Sequence, residues 1–305
     1  LVVSPLETRK LTKRYGRHVG LDDVTLSVNT GEVLGLLGPN GSGKTTLIRM
    51  LMGLLPITSG EARIFGECID ASRPHVRASV GYLPGNFRAY DNLTVDHYFR
   101  YLTSLRKIDS RLKVSELCDR FSLKRDKLIG SLSKGTKQKV GIVQAFMHSP
   151  KLLILDEPTS GLDPLMQREF ENVLNEVVRA GSTVLLSSHI MSEVERMART
   201  VAVLDEGRLI HIAAVNAFKQ HVLHTIELDM SSAPDIESLR RVPGVLAADA
   251  VGNTAKIVMS GDEGPLIVEA ARQCAVRIRT HEPTLDDLFE TLLGRAPTNE
   301  GQVDA

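Results

Sequence analysis

The residues Gly38-x4-Gly43-Lys44-Thr45 have the pattern of a phosphate-binding loop. Across Gly38, Pro39, Asn40, Gly41, Ser42 and Gly43 the small residues let the backbone wrap until successive N–H groups point at one anion. Lys44 adds a point charge for phosphate oxygens, Thr45 offers a hydroxyl to a divalent cation, and Thr46 continues into a helix whose positive end faces the same anion. A second group stands at Leu152-Leu153-Ile154-Leu155-Asp156-Glu157, where an apolar run ends in two acids. A carboxylate at the end of a buried strand can enter a magnesium shell, and the next one can orient or deprotonate a water. Asp156 is therefore expected at the metal and Glu157 as the base. In a third group, Leu132-Ser133-Lys134-Gly135, a hydroxyl, a bare backbone N–H and a helix dipole converge on one point. A plain helix N-cap accounts for the same residues.

Strands and helices must hold these groups, and the hydropathy pattern supplies them. Residues 6–30 read as two short strands around a turn, and Val33 to Leu37 as a buried strand that enters the glycine-rich loop and then an amphipathic helix through Leu55. A short strand falls within 58–69. The stretch from Thr94 to Ile129 is rich in helix formers without period-2 alternation, which predicts a mostly helical insertion. Apolar spacing predicts a helix from Lys134 to His148, stopped by Ser149-Pro150, and another opened by Asp163 as N-cap with Pro164 in its first turn. Leu152 to Leu155, Val184 to Leu186 and Val201 to Leu204 are short buried strands. Strands alternating with helices of this size imply a mostly parallel sheet covered on both faces. After about residue 216 the pattern becomes βαββαβ, expected as a small ferredoxin-like domain, followed by a helix that Thr284 caps through Asp287.

Composition limits the class. At 305 residues, one large domain plus a small one is the natural division. Lys and Arg number 37 against 37 Asp and Glu, a balance unlike that of a protein built to coat nucleic acid. The neutrality is an average of unlike parts: from residue 221 onward 7 basic residues face 14 acidic ones, leaving 30 against 23 before it. Trp is absent and aromatics are 4%, so the core must be aliphatic. Cys68, Cys118 and Cys274 form no CxxC pair, which points away from a disulfide framework or a zinc site. Neither a secretory leader nor an apolar run long enough for a membrane span is expected.

Taken in order, Gly38 to Thr46, Ser133-x-Gly135, Asp156-Glu157, Ser160-Gly161-Leu162-Asp163 and a strand-terminal His189 resemble the nucleotide-binding subunit of ABC transporters. The resemblance implies a P-loop NTPase fold of α/β class with antiparallel β and helical subdomains. It would occupy 1–216, the helical subdomain lying at about 86–148, with an α+β accessory domain at 217–295 and a flexible tail at 296–305. It also implies an ATPase with ATP and Mg2+ as ligands, working as a head-to-tail dimer in which Ser133 and Gly135 of one copy close over the phosphate loop of the other. Tyr15 would stack on adenine, Asp163 would couple the two sites, and His189 would contact the γ-phosphate.

Two departures qualify it. In Gly81-Tyr82-Leu83-Pro84-Gly85-Asn86, Gly85 stands where the family usually has a glutamine that reaches the metal; either that role is lost or the neighbouring amide of Asn86 substitutes. Lys134 and Thr136 replace the usual glycine and glutamine of the signature. With the segment His281-Glu282-Pro283-Thr284-Leu285-Asp286-Asp287-Leu288-Phe289, these features resemble the ABC-2-type branch of exporter ATPases. That implies a motor subunit, peripheral on the cytoplasmic face of the cell membrane, acting with a separate membrane permease and no nucleic acid. An ABC ATPase working on ribosomes or nucleic acid is the alternative, and an ordinary P-loop GTPase or kinase leaves the signature and His189 without a role.

Overall fold

The computed structural model describes residues 3–70, 73–215 and 223–281. Two compact units make up the chain, Leu1–Ile212 and Ala213–Ala305. The helix expected from Thr284 and the tail at 296–305 lie outside the described residues.

In the first unit, β1 (Leu6–Tyr15), β2 (His18–Val28), β4 (Ser59–Ile64) and β5 (Glu67–Cys68) form an antiparallel sheet in the order β2-β1-β4-β5. The main sheet has six strands. These are β3 (Val33–Leu37), β6 (Val80–Leu83), β7 (Leu152–Asp156), β8 (Thr183–Ser188), β9 (Thr200–Asp205) and β10 (Arg208–Ala214), ordered β10-β9-β3-β8-β7-β6. The pairs β3–β8, β3–β9, β6–β7 and β7–β8 are parallel, as the alternating pattern predicts. Because parallel neighbours all end on the same side, the C-terminal ends of β3, β8 and β7 lie side by side.

Both faces of this sheet are covered, which is why β3, β7 and β8 are fully buried and their apolar runs, Val33–Leu37, Leu152–Leu155 and Val184–Leu186, do not alternate. On one face Leu34, Leu36, Ile154 and Leu185 pack with Ile48 and Leu51 of α1 (Lys44–Leu51) and with the inner side of the antiparallel sheet, including Leu11, Leu26 and Ile64. The glycine that interrupts the β3 run, Gly35, sits under α6 (Met191–Met197): a Cβ there would lie 2.3 Å from Val194 Cγ1. Elsewhere in the unit Phe146 of α4 (Lys134–Phe146) meets Phe170 of α5 (Pro164–Arg179) edge to face, with ring centroids 6.1 Å apart. Each buried Phe of this kind contributes about 1.5–3 kcal/mol by leaving water.

The insertion contains α2 (Val95–Arg106), capped by Thr94 through the N–H of His97, and α3 (Arg111–Arg120). Arg120, at the end of α3, reaches Glu169 and grips Glu176 with two nitrogens, so that α3 is tied to α5. Four elements fall outside the sequence expectation: the two-residue β5, β6, α6 and β10. Gly81 and the brevity of β6 hide it, α6 is only two turns, and β10 is an edge strand with little burial and so no run of apolar residues.

In the second unit the order is β11 (Leu223–Met230), α7 (Ile236–Arg240), β12 (Val245–Val251), β13 (Thr254–Ser260), α8 (Gly264–Arg272) and β14 (Ala275–His281). The antiparallel sheet runs β12-β13-β11-β14. Ile226, Leu228, Ala255 and Ile257 point to the side where Leu239 and Leu266 of the two helices close the core. Residues of opposite parity form the other face, where Asp249, Lys256, Glu227 and Arg279 stand opposite one another in one row of alternating charge.

His148 follows α4, with its Nε2 3.2 Å from the carbonyl oxygen of Val80. Burial, with the Arg106 charge nearby, pushes its pKa down to about 4 from the ordinary 6.5. The unfolded chain therefore takes up a proton before the folded one does. Stability from this group is complete above about pH 6.5 and declines as pH falls towards 4. Urea denaturation at pH 7 and pH 4.5 checks this: the loss between the two pH values should be smaller in His148→Gln than in the wild type.

Candidate functional site

A cleft of 570 Å³ opens at the C-terminal end of β3. Tyr15 lines one side, Asn40, Gly41, Gly43, Lys44, Thr45 and Thr46 form its floor, and Glu157 lies at the far side. His18, Glu206 and Gly207 also line it and carry no signal in the sequence, since nothing local distinguishes them from ordinary turn residues. Tyr15, at the last position of β1, is not a core aromatic: it is 46% exposed, and the Lys13 ammonium stands 5.1 Å from its ring centroid. An exposed ring beside a phosphate-type loop offers a stacking face.

Gly38 is required by close approach. A Cβ there would lie 2.2 Å from the Leu204 carbonyl oxygen and 2.4 Å from Ser42 Oγ. That Ser42 hydroxyl is buried and has no hydrogen-bond partner, an unusual state for a polar atom and one that an incoming anion would relieve. Lys44 is 6% exposed, and its ammonium donates to Gly38 O at 2.5 Å and Pro39 O at 3.0 Å. Burial pushes its pKa down, while the charges of Glu157 and Asp156 oppose that shift. The lysine is thus a desolvated cation held by two loop carbonyls, which phosphate oxygens could replace.

Behind the loop the Asp156 carboxylate, 2% exposed, is held on both oxygens. Thr45 Oγ1 donates to Oδ2 at 3.0 Å, and Ser187 Oγ donates to Oδ1 at 2.5 Å. Glu157 follows with φ 49°, a left-handed conformation rare for a side chain of its kind. Its N–H is held at 3.1 Å by Ser187 O and at 3.1 Å by Ser187 Oγ, and Gln138 of α4 donates to the carbonyls of Glu157 and Pro158. The Glu157 carboxylate meets His189 Nδ1 at 3.0 Å. Ser187 and Gln138 carry no sequence signal, one being a serine in an apolar strand and the other an amide on a helix.

The remaining expected residues do not line this cleft. Ser133 is the N-cap of α4, its oxygen accepting the N–H of Thr136 at 3.2 Å. Gly135 lies against the segment before α5, where a Cβ would be 2.3 Å from Gly161 O. Asp163 caps α5 by accepting the N–H of Met166 at 3.0 Å. The three therefore gather at one place on the surface. Gly85 backs the metal-type carboxylate, since a Cβ there would come within 3.1 Å of Asp156 Oδ2, and its neighbour Asn86 is exposed. Among the described residues, no three His, Cys, Asp or Glu gather as a metal cluster, and no helix is long and apolar enough to cross a membrane.

Several known proteins are similar to much of this chain. The family model described as ABC transporter matches residues 21–160. The probable multidrug ABC transporter ATP-binding protein YbhF of Escherichia coli K12 is 38% identical over 210 residues, covering 67% of this chain. The chain spans only 36% of the length of that relative. The bacitracin transport ATP-binding protein BcrA of Enterococcus faecalis is 33% identical over 298 residues, which cover 95% of this chain and 96% of the relative. A solved structure of the ATP-binding subunit of an ABC transporter matches with TM-score 0.66 and 32% identity, over 71% of this chain and 92% of the other.

Gly38→Ala should force the loop away from the Leu204 carbonyl. Calorimetric titration with a nucleoside triphosphate is expected to show affinity reduced at least about tenfold, with the fold retained by circular dichroism.

Proposed function

The chain belongs to the ABC transporter family, and we propose that it is the ATP-hydrolysing subunit of an exporter whose membrane permease is a separate chain. The observation that carries this reading is the cleft itself: the exposed aromatic Tyr15, a phosphate-type loop with a desolvated lysine, and Glu157 line one cavity. Relatives named for bacitracin transport and multidrug transport support the exporter direction.

In this reading Tyr15 stacks on adenine, and the N–H groups of residues 39–46 together with Lys44 take the phosphates. Thr45 and Asp156 are hard oxygen donors 3.0 Å apart, the donor type and small number that suit a Mg2+ sharing its shell with phosphate and water. When bound there, the ion neutralises charge on the transferred phosphoryl group. Asn86 lies close enough in sequence to Gly85, beside Asp156, to supply the amide that Gly85 lacks. Glu157 orients the attacking water and takes its proton, while His189 fixes the carboxylate until the γ-phosphate arrives. Positioning and charge stabilisation do most of the work, because the phosphoryl group transfers through a loose transition state.

Ser133 and Gly135 are absent from the cleft lining of their own chain. A second copy, arranged head to tail, supplies them in this reading, and Asp163, next to Gly161 and Gly135, couples the two sites. The protein then works at the cytoplasmic face of the membrane, bound to its permease. Its C-terminal domain, from about 217 to 295, is read as ferredoxin-like on its strand order.

Replacing the base should separate binding from turnover. Glu157→Gln is expected to lower ATP hydrolysis by about 10²–10⁴-fold and to accumulate an ATP-bound dimer on size-exclusion chromatography. Undiminished hydrolysis in that variant would remove Glu157 from the mechanism. Asn86→Ala should weaken Mg·ATP binding and turnover together; wild-type values would show that the missing glutamine has no replacement there.

A further inference from the structure

Ser187 is the penultimate residue of the buried strand β8, two residues before His189, and none of the expectations drawn from the sequence includes it. Its side chain is fully buried, with 0% exposure. A serine hydroxyl has one proton and two lone pairs, and here each has a distinct use. The proton goes to Asp156 Oδ1 at 2.5 Å, in the range of a charge-assisted bond to a carboxylate. A lone pair accepts the N–H of Glu157 at 3.1 Å, and the Ser187 carbonyl accepts the same N–H at 3.1 Å. One residue thus touches both acids, the first through its carboxylate and the second through its backbone.

The two contacts have different consequences. With Oδ1 committed to Ser187, the Asp156 carboxylate presents Oδ2 alone to Thr45, whose hydroxyl lies 3.0 Å away. Its rotation is fixed before any cation arrives. Holding the Glu157 N–H retains the left-handed backbone at φ 49°, which turns the Glu157 side chain towards His189 and the cleft.

We infer that Ser187 is a positioning residue that pre-aims the magnesium carboxylate Asp156 and the base Glu157 through a single hydroxyl. The inference rests on the ATPase reading of this site. Hydrogen-bond partners behind a metal ligand typically govern affinity or rate by about 10–100-fold. Alanine at 187 keeps the strand and its carbonyl but leaves Asp156 Oδ1 buried without its donor. The Ser187 hydroxyl should therefore matter to metal affinity and to turnover, and not to binding of nucleotide alone.

The test uses the full chain, with Mn2+ as the spin-active probe in the presence of a non-hydrolysable ATP analogue. In Ser187→Ala, paramagnetic resonance titration is expected to show Mn2+ affinity reduced about 10–100-fold. Analogue binding in EDTA should match the wild type, the melting temperature should fall by a few degrees because Asp156 Oδ1 is left buried without its donor, kcat at saturating metal should fall, and KM for ATP should change little. Ser187→Thr, which keeps the hydroxyl on a residue suited to a strand, should recover most of the Mn2+ affinity. Mn2+ affinity within twofold of wild type in Ser187→Ala overturns the proposal, as does an equal loss of metal-free analogue binding, which marks a merely structural role. If the wild type itself binds neither the analogue nor Mn2+ with it, the ATPase reading fails first.

Discussion

The Asp156 carboxylate is the joint on which the site depends. Thr45 reaches it from the start of α1, and Ser187 from the end of β8, while Asp156 itself ends β7. Three chain segments distant in sequence meet at one buried group, and only one sheet arrangement brings them there. β8 must lie between β3 and β7, with all three running the same way, as they do. A buried carboxylate without donors is costly, so folding this sheet correctly and satisfying Asp156 are the same requirement. The anion site, the cation donors and the base are consequences of that one register.

Much of this was legible along the chain where chemistry is local. Gly38 to Thr46 announces itself because its spacing is imposed by contiguous backbone, and Asp156-Glu157 stands out as acids closing an apolar run. The expected α/β layering follows from buried strands alternating with amphipathic helices. What could not be read is strand order: nothing in Val184 to Leu186 says that it lies between the loop strand and the acid strand. Ser187 was invisible for that reason, since a serine in an apolar strand gains meaning only from the carboxylate beside it. Gln138 was hidden in the same way, as an amide on a helix whose meaning depends on the carbonyls of Glu157 and Pro158 beside it. The role of Gly85 was legible as a departure, but its contact with Asp156 was not.

The second unit shows how charge and fold separate. Its core parity carries aliphatic residues, while the opposite parity carries Asp249, Lys256, Glu227 and Arg279 in one row and Asp229 beside Arg277 in the next. On that face acids and bases balance, and Arg279 pairs with Asp229 at 2.9 Å. Exposed pairs of this kind add little stability. The acidic excess from residue 221 onward is consequently not a property of the sheet face: in the described helices and turns Asp235, Glu237, Asp262, Glu263 and Glu269 outnumber Arg240, Arg241 and Arg272 by two, and the larger part of the excess is in the sequence from 282 to 305.

Glu157 holds a backbone conformation that disfavours its own residue type. Folding alone would be better served by glycine, which adopts φ 49° without strain, and asparagine would be the next most comfortable occupant. Two selections therefore oppose each other at one codon. A population screened only for thermal resistance should drift away from glutamate at 157, whereas one screened for turnover should hold it. That makes position 157 a place where stabilised and active variants of the chain part company.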